Sequence, residues 1–351
     1  MKSNIRRTIL VLAPGFPANE QDSTCLPAQQ LMLRSLQVQF PFYTIIIFAL
    51  HYPYRKALYQ WNSLEVIAFN GQNKRKLAKL LLWKNVWIKM QQLQRQKRID
   101  GILSFWCTEC ALLGHYFGRI KGIRHYCWIL GQDAKEENSY VRFIRPMPEE
   151  LIALSPFLKA EFHKNHGIRP AYCIPNGVDD LPDDVPGERN IDLLAAGSLI
   201  PLKQYHLLVD VASALKKKYP QLKIVLCGKG NEEGMLRRLI TDSGYSAHFR
   251  LLGELPHEQV LQLMRQARIF IHPSRYEGFS TVCLEALQAG AHVISFCNPV
   301  EKSIPQWHIV TNVDEMIQVI DKLLSNSMLL HSSVIPYRMS DSALQVGELF
   351  S

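Results

Sequence analysis

The chain has no apolar run near the ~20 residues that a membrane-spanning helix requires, so no spanning segment is expected in its 351 residues. The run Thr8-Ile9-Leu10-Val11-Leu12-Ala13 is too short for the apolar region of a secretory signal and is closed by Pro14-Gly15. It reads instead as a buried first strand. Eight cysteines are present, but only Cys107-Thr108-Glu109-Cys110 has close spacing, and no second pair completes a zinc site. Cys127, Cys227, Cys283 and Cys297 fall in apolar patterns, as reduced thiols in a reducing compartment do. No Asp-x-Asp pair occurs, so no metal is expected. Gly228-Lys229-Gly230 lacks the rest of a dinucleotide fingerprint, which argues against nicotinamide redox chemistry. No internal repeat or low-complexity tract is visible.

The composition, 47% hydrophobic and 20% charged, is that of a globular protein, and the length suffices for two domains. The net charge of +9 is unevenly placed: residues 1–178 hold 24 Lys/Arg against 11 Asp/Glu, and the remainder 16 against 20. Between Glu65 and Asp100 no acidic residue occurs, while Lys74, Arg75, Lys76, Lys79, Lys84, Lys89, Arg95, Lys97 and Arg98 do. Leu77, Leu80, Trp83, Trp87 and Met90 recur among them at helical spacing. Two readings stay open for residues 74–98. They lie on an anionic membrane surface, or they form a domain helix with Leu and Trp inward and lysines in water; both can hold on different faces. Nucleic acid is not an expected partner, because the aromatics share the apolar face and no nucleic-acid motif accompanies them.

Strand and helix signals alternate throughout. Strands are expected at Thr8–Leu12, Thr44–Leu50, Glu65–Phe69, Gly101–Phe105, Tyr126–Leu130, Leu151–Leu154 and Tyr172–Ile174. Helices are expected at Pro27–Ser35, Lys74–Gln96, Cys110–Arg119 and Pro156–Asn165. The second half gives strands at Ile191–Ala195, Lys223–Cys227, Phe249–Leu252, Arg268–His272 and His292–Phe296. Its helices fall at Tyr205–Lys217, Glu232–Ser243, Glu258–Arg265, Thr281–Gln288 and Val313–Leu324, with a short one in Ser340–Phe350. Such alternation implies mostly parallel sheets covered on both faces. The expected division is a domain over 1–178, a Pro/Gly-containing acidic linker over 179–190, a second domain over 191–332, and a tail over 333–351 that packs back on the first domain.

The richest stretch runs from Pro273 to Gly290, Pro-Ser-Arg-Tyr-Glu-Gly-Phe-Ser-Thr-Val-Cys-Leu-Glu-Ala-Leu-Gln-Ala-Gly. Glu277 stands on a loop after the run Ile269-Phe270-Ile271-His272, and Glu285 stands one turn into the following helix. Ser280 and Thr281 are N-cap types. The helix start favours an anion such as a diphosphate, and Gly278 permits close backbone approach. Paired carboxylates beside an anion pocket suit the hydroxyl groups of a sugar or ribose. The alternative is a loop cap and a solvated helix residue.

This segment resembles the glutamate-seven-residue-glutamate motif of retaining glycosyltransferases of family 4. Asn190–Lys203, Leu222–Gly230, Phe249–Gly253 and the hinge-like Ile174-Pro175-Asn176-Gly177-Val178-Asp179 are similar to further family segments. The resemblance implies the α/β fold called GT-B, two Rossmann-like doubly wound parallel-sheet domains facing a central cleft. It implies that Glu277 and Lys203 act catalytically, Glu277 on the donor sugar and Lys203 as a point charge on the diphosphate. It implies that Gly278, Phe279, Ser280, Thr281 and Val282 hold sugar and diphosphate through their backbone, and that Glu285 binds ribose. Ser198, Gly228 and Arg275 complete the expected donor site. Three positions depart from the family: Ser198 replaces its usual Arg, and Gln204 and Ser280 replace its usual Gly.

On the acceptor side, Gly15 in Pro14-Gly15-Phe16-Pro17 resembles the family's glycine loop, with an ordinary turn as the alternative. Asp133, in Trp128-Ile129-Leu130-Gly131-Gln132-Asp133, is placed to orient an acceptor hydroxyl or to cap its loop; Leu130 stands where the family often has His. The expected activity is retaining, metal-independent transfer from a UDP- or GDP-linked sugar, a substrate with no separate cofactor, to a lipid-linked or saccharide acceptor in bacterial surface-polysaccharide synthesis. The expected place is cytoplasmic or peripheral on the inner face of the cytoplasmic membrane. The rivals are a GT-B-like nucleotide or glycolipid-binding protein without turnover, and a glycoside hydrolase using the two glutamates.

Overall fold

The computed structural model describes residues 7–74, 77–179 and 188–351. Most of the expected linker 179–190, and Arg75 and Lys76 of the basic stretch, lie outside the described residues. The chain divides into two compact units, Met1–Gly177 with Met339–Ser351, and Val178–Arg338.

The first unit contains β1 (Arg7–Gly15), α1 (Pro27–Gln39), β2 (Tyr43–Tyr52), β3 (Ala57–Trp61), β4 (Leu64–Ala68), α2 (Leu77–Lys97) and β5 (Ile99–Phe105). It continues with α3 (Glu109–Lys121), β6 (Arg124–Ile129), α4 (Tyr140–Ile144), β7 (Leu151–Ala153), α5 (Pro156–His166) and β8 (Tyr172–Cys173). The sheet runs β3-β4-β2-β1-β5-β6-β7-β8. All its neighbours pair parallel except the edge hairpin β3–β4. Leu10 and Leu12, with Ile46, Phe48 and Leu50 of the next strand, point to one face. There they meet Leu82, Val86, Met90 and Leu93 of α2 and Leu113 and Phe117 of α3.

Of the apolar stripe expected on α2, Met90 lies in the core and Trp83 and Trp87 pack against it, and only its first two positions are corrected. Leu77 and Leu80, read as inward-facing, are exposed together with Leu81 and Ile88, and Trp83 and Trp87 are half-buried. The core face is centred on Leu82, Val86, Met90 and Leu93, with Trp83 and Trp87 beside it, a spacing equally consistent with a helix face.

The second unit contains β9 (Ile191–Ala196), α6 (His206–Leu215), β10 (Ile224–Cys227), α7 (Glu233–Asp242), β11 (Phe249–Gly253), α8 (His257–Gln266), β12 (Ala267–His272), α9 (Thr281–Gln288), β13 (His292–Ser295), β14 (Trp307–Ile309) and α10 (Val313–Ser325). The all-parallel sheet has the order β11-β10-β9-β12-β13-β14. Chain order therefore reverses between β9 and β12, the switch point beside which open α/β sheets bind ligands at their carboxyl ends. Local signals set the helix starts: Asn312 accepts the Glu315 N–H at 2.9 Å at the head of α10, and Ser155 does the same for Leu158 at 3.1 Å in α5. The final helix, α11 (Met339–Glu348), packs on α1 within the first unit. There Arg7 donates to the Phe350 carbonyl at 2.9 Å and the Tyr43 hydroxyl to the Gly347 carbonyl at 2.9 Å.

Candidate active site

Two loops leave the carboxyl ends of the neighbouring strands β9 and β12, and each carries one half of an ion pair. The loop after β9 turns at Pro201–Lys203, and Gln204 closes it with φ 51°. The loop after β12 is pinned to it: the Arg275 N–H donates to the Leu202 carbonyl at 3.0 Å, and the Ser274 hydroxyl to the same carbonyl at 3.3 Å. This docking brings Lys203 Nζ to 2.5 Å from Glu277 Oε1. His272 Nε2, at the end of β12, lies 2.8 Å from the same oxygen.

The site is largely dry. The side chains of Lys203 and Glu277 keep 20% and 12% of their exposure, and that of His272 keeps 1%. Burial alone would raise the Glu277 pKa, but the His272 hydrogen bond and the Lys203 ammonium outweigh it and hold the carboxyl well below the usual carboxylate range. Burial, helped by Lys203, lowers the His272 pKa against the pull of Glu277. A neutral imidazole with its proton on Nε2 fits, because Nδ1 is buried without a hydrogen-bond partner and a second proton there would be unsatisfied. His272 thus donates and orients, while Lys203 supplies the charge.

Glu285, half-buried on α9, is met by His257 Nε2 at 2.8 Å from the head of α8. The two glutamates therefore have separate supporting partners. The turn between them is built by packing: Phe279 is buried against the ring of Tyr337, centroids 5.6 Å apart. Ser280 occupies the N-cap position of α9 with φ 61° and makes no side-chain cap hydrogen bond. The side-chain cap expected there is therefore corrected, since a left-handed residue does not present its hydroxyl to the helix N–H groups as an extended N-cap does. Gly278 is buried, Thr281 and Val282 are half-buried, and Arg275 and Ser198 are exposed.

Gly228 serves chain packing. Its φ is 143°, and a Cβ there would lie 1.8 Å from the Gly197 carbonyl oxygen. Its N–H is taken by the Gly253 carbonyl at 2.7 Å, so a backbone contact from that N–H to a ligand is replaced by one that ties the loop after β10 to the end of β11. Tyr205 is fully buried, and a Cβ on Gly197 would meet its hydroxyl at 2.6 Å.

In the first unit, Gly15 ends β1 at a register shift opposite Tyr52. Asp133 is buried and accepts the N–H groups of Cys107 at 2.8 Å, Gly131 at 2.8 Å and Leu130 at 3.1 Å. Burial raises its pKa and these bonds oppose the rise. The acceptor-orienting role is corrected to a loop brace, since the carboxylate is spent on backbone. Glu109, which no motif marked, is buried with His51 Nε2 at 2.6 Å and Trp83 Nε1 at 2.7 Å, tying α2 to the sheet. All eight cysteines are free thiols, and Cys107 and Cys110 are buried.

Comparison with known proteins bears on this geometry. Residues 182–334 match the family of glycosyl transferases group 1. The match spans the unit that carries Lys203, Glu277 and Glu285. A component of the phosphatidylinositol N-acetylglucosaminyltransferase of Arabidopsis thaliana is 26% identical over 198 residues, 54% of this chain and 44% of that protein. The human protein of the same description is 30% identical over 125 residues, 35% of this chain and 26% of that protein. The chain spans less than half the length of the curated relatives it matches. Among solved structures, HepE of Anabaena, with UDP and glucose bound, superposes with TM-score 0.68 at 18% identity over 97% of this chain and 95% of that one. The pneumococcal O-GlcNAc transferase GtfA gives TM-score 0.64 at 14% identity over 98% and 96%. The fold is GT-B, two α/β units, the first built on a mostly parallel sheet and the second on an all-parallel one.

His272, His257 and Tyr205 were not marked by sequence. His272 closes the run that leads to the motif, and a polar residue ending an apolar strand just before a carboxylate loop was the available signal.

Proposed function

We propose that the protein is a retaining glycosyltransferase that moves a sugar from a UDP- or GDP-linked donor to a lipid-linked or saccharide acceptor, without a metal, in bacterial surface-polysaccharide synthesis. One observation carries the reading: at the switch point of the second sheet, a dry carboxylate is held ionised by a lysine and an oriented imidazole. A permanently ionised Glu277 accepts hydroxyl donors from a sugar. Lys203 has three N–H donors, so it can keep Glu277 and still meet a diphosphate oxygen. As the bond from the anomeric carbon to the diphosphate breaks and the bond to the acceptor oxygen forms on the same face, the acceptor proton passes to the leaving phosphate. The protein's work is then charge stabilisation and positioning. Glu285, steadied by His257, takes the ribose hydroxyls. Gly15 and the backbone of 278–282 complete the donor and acceptor contacts in this reading, with Ser198 and Arg275 at the donor rim.

The hydrolase alternative fits less well. Glu277, held ionised, could serve only as its nucleophile or base, which leaves the general acid to Glu285, and the described contact of Glu285, with His257, gives that role no support. Membrane apposition is supported by α2, where exposed Leu77, Leu80, Leu81 and Ile88 lie beside Lys84 and follow Lys74, apolar and basic groups together as an anionic surface requires. Leu77→Ser/Leu81→Ser should then weaken sedimentation with phosphatidylglycerol vesicles, and unchanged sedimentation would remove this part.

The decisive assay incubates the full chain with labelled UDP- and GDP-sugars and a membrane extract. Labelled product is expected, lost by a factor of ~100 or more in Lys203→Met and Glu277→Ala. Donor binding without product, indifferent to Glu277→Ala, would establish a binding protein instead. Glycoside turnover without any nucleotide sugar would establish a hydrolase.

A further inference from the structure

A second cationic place lies in the first unit. A cavity of about 540 Å³ opens between the end of α4 and the end of α5. Arg142, Arg145 and His166 line it with Asn165, and Val141 and Ile168 supply apolar wall. Both arginines are exposed, and neither forms an ion pair among the described residues. Arg145 caps α4 in the left-handed conformation, φ 48°, which is unfavourable for a residue with a long side chain. His166 Nε2 is buried with no hydrogen-bond partner. Asn165 is committed through its amide N–H groups to the Ala134 carbonyl at 3.0 Å and to Glu161 at 3.0 Å, which leaves its oxygen as a further acceptor. The orphaned ring nitrogen is thus the buried polar atom without a partner here, and two guanidiniums that no described carboxylate neutralises line the same cavity.

We propose that this cavity binds a phosphate-bearing anion, with Arg142 and Arg145 donating to its oxygens and His166 Nε2 completing the cradle. Arginine suits phosphate through its planar fork of donors. Burial, with Arg142 nearby, lowers the His166 pKa, and the backbone carbonyls of Lys135 and Ala134 oppose this. A neutral Nε2 accepts a hydrogen from a phosphate P–OH, so the orphaned atom gains a partner that chloride cannot provide. The ligand's phosphate belongs either to a soluble ester or to a lipid headgroup.

The test uses the full chain with isotope-labelled histidine, the His166 resonance being assigned among 12 histidines with a His166→Gln variant. Inorganic phosphate is titrated at constant ionic strength, and vesicles of phosphatidylcholine with phosphatidic acid form the second arm. A saturable shift of the His166 ring signals with phosphate, weakened roughly 10-fold or more in Arg142→Ala/Arg145→Ala, supports a soluble ligand. Vesicle binding lost in the same double variant, with free phosphate silent, supports a lipid headgroup. Silence in both arms, an equal shift with chloride, or responses unchanged in the double variant would overturn the proposal. Both substitutions lie in exposed positions of the first unit, so folding and the glutamate site of the second unit stay as controls.

Discussion

Removing the Lys203 ammonium is the sharpest probe of the candidate site. In Lys203→Met the stem is kept and the charge lost, leaving Glu277 ionised in a place where 12% of its side chain meets water. The native carboxyl is depressed from the ordinary ~4.3 to about 2 by His272 and Lys203 together, against burial. That net shift corresponds to roughly 3 kcal/mol; since burial opposes it, the two partners together supply more, and Lys203 should account for about half of the net or somewhat more. The expected cost is therefore on the order of 2 kcal/mol at pH 7. A group whose folded pKa is lowered contributes stability above its unfolded pKa and loses it as pH falls through the folded value. The gap between native and variant should be full at pH 7, begin to narrow only near pH ~3 and close as pH falls through ~2, the folded value of the native carboxyl. Hydrogen exchange of the β9 and β12 amides, corrected for intrinsic rates, reports opening of this unit directly. Glu277→Gln in the Lys203→Met background removes the stranded charge and should recover most of the loss. A variant as stable as the native chain at pH 7, or a loss undiminished at pH 2, would refute the account of a carboxylate held ionised by its neighbours.

Three further outcomes follow from the same geometry. Gly228→Ala places a Cβ 1.8 Å from a backbone oxygen at φ 143°; with no flexible atom to yield, it should cost ~3 kcal/mol or more, read as a drop in the urea midpoint. Asp133→Ala strands two buried N–H groups and a part-buried one and should cost ~3 kcal/mol, with Asp133→Asn recovering part; a neutral Asp133→Ala would mean the loop does not need its brace. His257→Ala removes the 2.8 Å contact to Glu285 and should raise the donor KM roughly 5-fold with kcat little changed, whereas a fall in kcat alone would take His257 out of donor positioning.

Much of the architecture was legible because its strands are long and apolar and are separated by turn residues. The residues that escaped did so for physical reasons. The edge strand β3 alternates exposed and half-buried positions, a weak signal in five residues. Its hairpin turn, Asn62-Ser63, has φ of 44° and 64°, the left-handed pair a two-residue hairpin requires, and that dipeptide was the cue available. β14 has three residues and α4 five, too short for any periodicity to register. On α2 two stripes of apolar residues compete, and only contact with the sheet decides between them.

The carboxylates were legible as residue types at a spacing, but their partners were not. Lys203 and Glu277 are 74 residues apart and meet because β9 and β12, far apart in the chain, are neighbours in the sheet. Sequence alternation implies a parallel sheet without giving its strand order, so the convergence of these two loops waits on topology. The departures from the family pattern gain meaning from the same geometry. Gln204 and Ser280, each standing where the resembled family has glycine, both adopt positive φ, 51° and 61°. The backbone path that glycine permits is thus retained by residues that find it unfavourable, at about 1–2 kcal/mol each. One of these residues closes the lysine loop and the other opens the helix after Glu277. The fold bears that strain on both sides of the ion pair, which follows if the placement of Lys203 against Glu277 matters more than local ease.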